Sequence, residues 1–97
     1  MTTKPSGKPS PLVLRLYIAG NGPNSVRAVA NAKSLRGEDL LPAHQLEIVD
    51  MLEHPLRALA DGVLVTPTLL RISPSPVLRV IGNLSDTREV LLALTSP

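Results

Sequence analysis

The chain has 97 residues, room for one small domain, with 43% hydrophobic residues, 19% charged residues and a formal net charge of +2. It contains no Cys, Phe or Trp, and Tyr17 is the sole Tyr, which excludes disulfides, thiolate catalysis and cysteine-type metal sites and removes the stacking rings that single-strand and RNA binders use. There is no basic stripe and no run near the ~20 apolar residues of a membrane span, so neither nucleic acid nor a membrane is expected as a partner. Met1 to Pro11 lacks an apolar core and is rich in Pro, Ser, Lys and Thr, which reads as a flexible tail on a cytoplasmic protein rather than a secretory signal.

Leu12 to Ile18 is apolar at nearly every position, the pattern of a strand covered on both faces. Arg15 is the exception and is expected near a rim. Gly20, Gly22 and Pro23 force a turn, Asn21 sits in it, and Asn24 or Ser25 is placed to cap the helix that follows. Val26, Val29, Ala30 and Lys33 recur at helical spacing, and Gly37 is a stop signal. Glu38 to Gln45, with Pro42, reads as a loop, and Leu46 to Met51 as a second strand with Asp50 near its end. Pro55 suits a first helical position, where its missing N–H is not needed. Leu56, Leu59 and Ala60 give that helix an apolar stripe, and Gly62 ends it.

Thr68 to Ile72 and Val77 to Ile81 are two further strands. The Ser73-Pro74-Ser75-Pro76 joint between them is short, which favours antiparallel pairing. Leu84 to Leu94 is the last helix, opened by Asp86 with Glu89 three residues on, a variant of the capping box. The order is βαβαββα, a single α/β domain over residues 12–95, and its first half implies a parallel pair with a right-handed crossover.

The chemistry-bearing patterns are few. There is no nucleophile elbow, P-loop or dinucleotide fingerprint. His44 and His54 stand without carboxylates at ligand spacing. No catalysis, metal or cofactor is expected. The remaining feature is Asn21-Gly22-Pro23-Asn24, a C-G-P-C redox turn with asparagine in place of both thiols. Such a turn offers free backbone donors to a partner, and Arg27 and Lys33 on the following helix read either as a solvated face or as an electrostatic contact with an acidic partner surface, which tunes association rate and register.

Element order, the N-G-P-N turn, Asp50, and the run from His54-Pro55 through Gly62-Val63 to Thr66-Pro67-Thr68 are similar to those of thioredoxins. Leu14-Arg-Leu-Tyr-Ile-Ala-Gly-Asn-Gly-Pro-Asn-Ser-Val-Arg-Ala28 resembles more specifically the opening of the KaiB family of circadian clock proteins, L-Y-V-A-G-N-x-P-N-S-V-R-A. Thr66-Pro-Thr-Leu69, Pro74, Pro76 and Val80-Ile-Gly-Asn-Leu-Ser-Asp86 agree with that family as well. The resemblance implies a non-catalytic protein that binds the ATPase ring of a KaiC-type partner, captures KaiA there or displaces a SasA-type histidine kinase, and regulates timing or stress signalling. It implies two folds: a monomeric thioredoxin-like state, and a tetrameric ground state of order βαββααβ. Local consistency of the helical segments after Pro55 and Leu84 favours the thioredoxin-like state here. By the same resemblance Asn21, Gly22, Pro23, Asn24 and Arg27 are candidate partner contacts, and Pro67, Pro74, Pro76, Gly82 and Asp86 are candidate structural or switch positions. Pro67 is expected cis, and slow isomerisation at Pro74 and Pro76 is positioned to gate interconversion. Ser75, Asn83 and the Glu53-His54 entry depart from the family pattern and point to a divergent paralogue. The alternative is a thioredoxin relative that lost its thiols and kept a docking or chaperone role.

Overall fold

The seven-residue run Leu12–Ile18 forms β1, an inner strand of a four-stranded sheet of order β2-β1-β3-β4. The computed structural model describes residues 12–35 and 44–96. Over these, β1 is followed by α1 (Pro23–Leu35), β2 (His44–Asp50), α2 (Pro55–Ala60), β3 (Thr68–Ser73), β4 (Leu78–Ile81) and α3 (Thr87–Leu94). β2 runs parallel to β1, with Leu16 opposite Ile48. β3 is antiparallel to β1 and to β4. This is the expected thioredoxin-like βαβαββα. The Gly37 stop, Pro42 and the Met1–Pro11 tail fall outside the described residues.

Strand side chains alternate between faces, and the two faces are unequal. Leu12, Leu14 and Leu16 join Leu69 under Ala28, Ala32 and Leu35 of α1 and Val90 and Leu94 of α3. The opposite face carries a smaller cluster of Tyr17, Val49, Ala58, Val63 and Leu70 beneath α2. A six-residue helix has little stability of its own, so α2 depends on what ties it to the sheet.

The structure decides three facings. On α1 the buried set is Ser25, Ala28, Ala32 and Leu35; of Val26, Val29, Ala30 and Lys33, only Val29 packs, half-buried, against the core. Val26 is 55% exposed. Small alanines let the helix lie close to the sheet, so the buried stripe follows them rather than the valines. On α2 only Ala58 is buried, and Leu56 and Leu59 are 77% and 71% exposed. Arg15 is not at a rim. It lies on an inner strand under α2, paired to two carboxylates.

Local signals at the helix ends are more faithful. Asp86 caps α3 by accepting from the Glu89 N–H at 3.1 Å, although the helix starts at Thr87 rather than Leu84. Pro55 opens α2, and Gly62 (φ +67°) follows it. Thr66–Pro67 is cis, as expected, and so are Ser73–Pro74 and Ser75–Pro76.

Two arginines finish the helices that follow the second strand. Arg71 on β3 is 1% exposed. Its guanidinium donates to the Leu94 carbonyl at 3.1 Å and to that of Ser96, both at the α3 C-terminus, and to the Pro76 carbonyl at 3.2 Å. Arg79 on β4 donates to the Asp61 and Gly62 carbonyls at 2.9 and 3.1 Å, at the end of α2. Helix C-termini present unpaired carbonyls and the negative end of the dipole, so cations there are favourable.

Candidate functional site

The turn after β1 is built by its neighbours. Gly20 has φ +60°, and a side chain there would meet Leu52 at 3.4 Å. Both the left-handed backbone and the close approach favour glycine. Asp50 closes the turn from β2: its Oδ1 accepts from the Gly20 N–H at 3.2 Å and the Leu52 N–H at 2.9 Å.

Neither candidate cap works as expected. The buried Ser25 hydroxyl accepts from the Ala19 N–H at 3.1 Å, binding the turn to the helix it opens. Asn24 instead reaches across the molecule, its side-chain oxygen accepting from Asn83 at 3.4 Å. Asn31 donates to the Asn83 carbonyl at 2.7 Å, so α1 is tied to the loop before α3. The two asparagines flanking Gly22-Pro23 therefore diverge: Asn21 faces solvent at the turn, and Asn24 serves an internal bond.

Asn21, Gly22, Pro23, Asn24 and Arg27 are all exposed, the last three on the first turns of α1. Pro67 is buried, and its carbonyl accepts from the Gly82 N–H at 3.0 Å. Gly82 adopts φ +118°, a region essentially closed to side-chain-bearing residues. Pro74 and Pro76 are exposed, and Asp86 is the α3 cap. The structure thus gathers the partner candidates at one end of α1 and leaves Pro74 and Pro76 apart from them.

Leucines missed in the sequence extend that surface. Leu52 is 70% exposed and packs beside Gly20, and Leu56, Leu59 and Leu64 are 77%, 71% and 88% exposed around α2. Val65 and Ile81 add to an open groove of about 310 Å³ that also includes Gly62, Val63 and Arg79. Exposed apolar side chains clustered on one element mark interaction surfaces, whereas scattered ones need no explanation. The signal in the sequence is the apolar stripe at Leu56 and Leu59, which by itself does not say whether it faces the core or a partner.

Beneath those leucines lies a charged network. Arg57 donates to both oxygens of Glu47 at 2.8 Å. Arg15 bridges Glu47 and Asp61, each at 2.8 Å. The Tyr17 hydroxyl donates to Asp61 at 2.6 Å and lies 3.0 Å from the Arg57 carbonyl. Hydrogen bonds from Arg57, then Arg15, hold the Glu47 carboxyl at about 2, well below its usual 4.5. Burial pushes Asp61 up, but the Tyr17 and Arg15 bonds outweigh it, and its carboxyl lies below the usual value.

A depressed carboxyl contributes stability that is present above its unfolded pKa and is lost as pH falls toward the folded one. The native chain is expected to lose stability between about pH 5 and pH 2. Glu47→Gln should flatten that acid limb in urea titrations, and an unchanged slope would remove Glu47 from the account.

No helix among the described residues is long and apolar enough to cross a membrane, and no group of three or more His, Cys, Asp or Glu among them is placed to hold a metal ion.

The fold and the sequence have counterparts among known proteins. In overall fold the chain is similar to the N-terminal domain of Synechococcus elongatus SasA, with a TM-score of 0.74 and 21% identity over 100% of this chain and 95% of that one. It is 45% identical over 82 residues to the circadian clock oscillator protein KaiB of Microcystis aeruginosa, covering 84% of this chain and 79% of that protein. To circadian clock protein KaiB3 of Synechocystis it is 47% identical over 83 residues, covering 86% and 81%. With the KaiB domain family matching residues 15–96, from Arg15 at the centre of the network to Ser96 at the end of α3, the chain belongs to the KaiB family.

Proposed function

We propose that this chain is a non-catalytic, cytoplasmic KaiB-type regulator of circadian or timing signalling that docks on the ATPase ring of a KaiC-type partner. The observation that carries the reading is the exposed set of Leu52, Leu56, Leu59 and Leu64, which begins against the Gly20 turn and surrounds α2. The Asn21-Gly22-Pro23 turn adjoins the patch where Leu52 meets Gly20, and Arg27 follows on α1; polar and cationic contacts of this kind set register and association rate. The thioredoxin-like state is the binding-competent monomer, and a tetramer is the form expected of the alternative fold. KaiA capture is a consequence of ring binding. The fold shared with a SasA sensor domain favours one further reading, that the chain competes with such a kinase for the same ring site.

The test is size-exclusion chromatography with light scattering, on the chain alone and with a nucleotide-loaded KaiC-type ring. A monomer that co-elutes with the ring at tens of micromolar is the expected result. No complex at that concentration, which would reveal most specific contacts, overturns the ring assignment. Suppression of aggregation of an unfolded client without ring binding would favour the docking or chaperone alternative.

A further inference from the structure

We propose that α2 and the turn after it form a detachable segment, latched to the sheet by charge, so that ionic strength sets how often the leucine surface is presented. The larger helices rest on apolar burial. Leu35 of α1 and Leu94 of α3, like the alanines and valine beside them, are inside the main cluster. The α2 helix buries Ala58 alone among its own side chains. Beyond the small apolar contact of Ala58 and Val63, its attachment is polar and comes from three strands: Glu47 on β2 grips Arg57, Arg15 and Tyr17 on β1 hold Asp61, and Arg79 on β4 holds the carbonyls of Asp61 and Gly62.

The latch is open to solvent. The side chains of Arg57 and Glu47 are 41% and 46% exposed, so dissolved ions reach the pair. Screening lengths fall from about 10 Å at 0.1 M salt to about 3 Å at 1 M. An element with few buried apolar contacts and half-exposed polar ties is the one that opens locally while the rest of the fold stays closed. When it opens, Leu56 and Leu59 lose the fixed spacing of a helix, and the surface ceases to exist as a rigid face. That consequence for a ring partner rests on the proposed function, but the latch itself does not.

Amide hydrogen exchange on the full chain alone, followed by NMR in 50 mM and 1 M sodium chloride, tests it. The reporters are the N–H groups of Ala58, Asp61, Gly62 and Val63, bonded to the carbonyls of His54, Arg57, Leu59 and Ala58. The controls are ladder amides of β1 and β3. In the native chain the α2 amides should exchange about three- to tenfold faster at high salt, the size expected for a modest ionic network, with the controls unmoved. Glu47→Gln should speed the α2 amides at low salt and shrink their salt response. Arg57→Met, which keeps the aliphatic stem, should do the same. Salt-independent α2 exchange, or variants that speed strands and α2 equally, would overturn the latch. Because no partner is present, failure of the latch and failure of the ring assignment are read separately.

Discussion

Arg71→Ala should lower stability by about 3–5 kcal/mol, the cost of removing a buried, hydrogen-bonded charged side chain and leaving its partners exposed to an empty space. The Arg71 guanidinium is the donor that the Leu94, Ser96 and Pro76 carbonyls share. Without it, the end of α3 and the proline joint before β4 lose a common anchor, and the main core loses the element that carries Val90 and Leu94. In a domain of this length each kcal/mol shifts the midpoint by about 4–8 °C, so the fall should exceed 10 °C by this same scaling. Two opposing effects meet at this site: desolvating a charge is costly, and leaving carbonyls unpaired is costly too. Arg71→Met separates them. It fills most of the space, removes the charge and leaves the carbonyls bare, and the expected loss is about 2 kcal/mol. A methionine variant as stable as the native chain in urea would show that the carbonyl contacts contribute nothing net.

Leu56→Asp should leave the fold intact and weaken the proposed ring binding by at least about 30-fold, the effect of losing one central anchor worth about 2 kcal/mol. Leu56 is 77% exposed, and a surface change of this kind alters stability by roughly 0.5 kcal/mol or less. Its position matters as well. It follows Pro55 in the first turn of α2, where an acidic side chain complements the helix dipole, so the substitution does not melt the helix it tests. Leu92 on α3 is the control. It is 63% exposed but lies on the helix layer that covers the opposite face of the sheet, and Leu92→Asp should bind the ring as the native chain does. Equal losses at both sites, with unchanged circular dichroism, would point to a general effect of added negative charge. Equal retention at both would remove the α2 face from the interface.

Local chemistry made the element order legible. Gly20, Gly22, Pro23, Pro55 and Gly62 each impose a backbone geometry that depends on one residue or its immediate neighbours, and Asp86 caps the helix three residues ahead of Glu89. The Ala19 to Ala28 run carried the family resemblance because a turn and the start of a helix are both specified within one short segment. Asp50 was legible for the same reason, since it closes a turn at the end of its own strand.

The facing of helices was not legible. One residue of offset turns a side chain by about 100° around the axis. Val26 and Val29 therefore compete with Ser25, Ala28 and Ala32 as the inward set, and the choice falls to how closely the sheet can approach. Small residues won on α1. On α2, with fewer than two turns, a leucine pair is equally consistent with a core and with a docking surface. Only the space beneath, already filled by Tyr17, Val49 and Leu70 of the sheet and Val63 of the turn after α2, decided that Ala58 goes in and the leucines stay out.

The arginines show the same division between local and distant causes. In the sequence Arg15, Arg71 and Arg79 are single charges interrupting strands, and composition alone would place them at edges or in solvent. Their partners lie far along the chain: Asp61 for Arg15, the end of α3 for Arg71, the end of α2 for Arg79. The sequence alone therefore determined which segments are strands and helices and which family the chain resembles, because turns, caps and periodicity act over a few residues. Which side chains become anchors, latch and surface was decided only when the sheet brought distant helix ends within hydrogen-bonding reach of its charges.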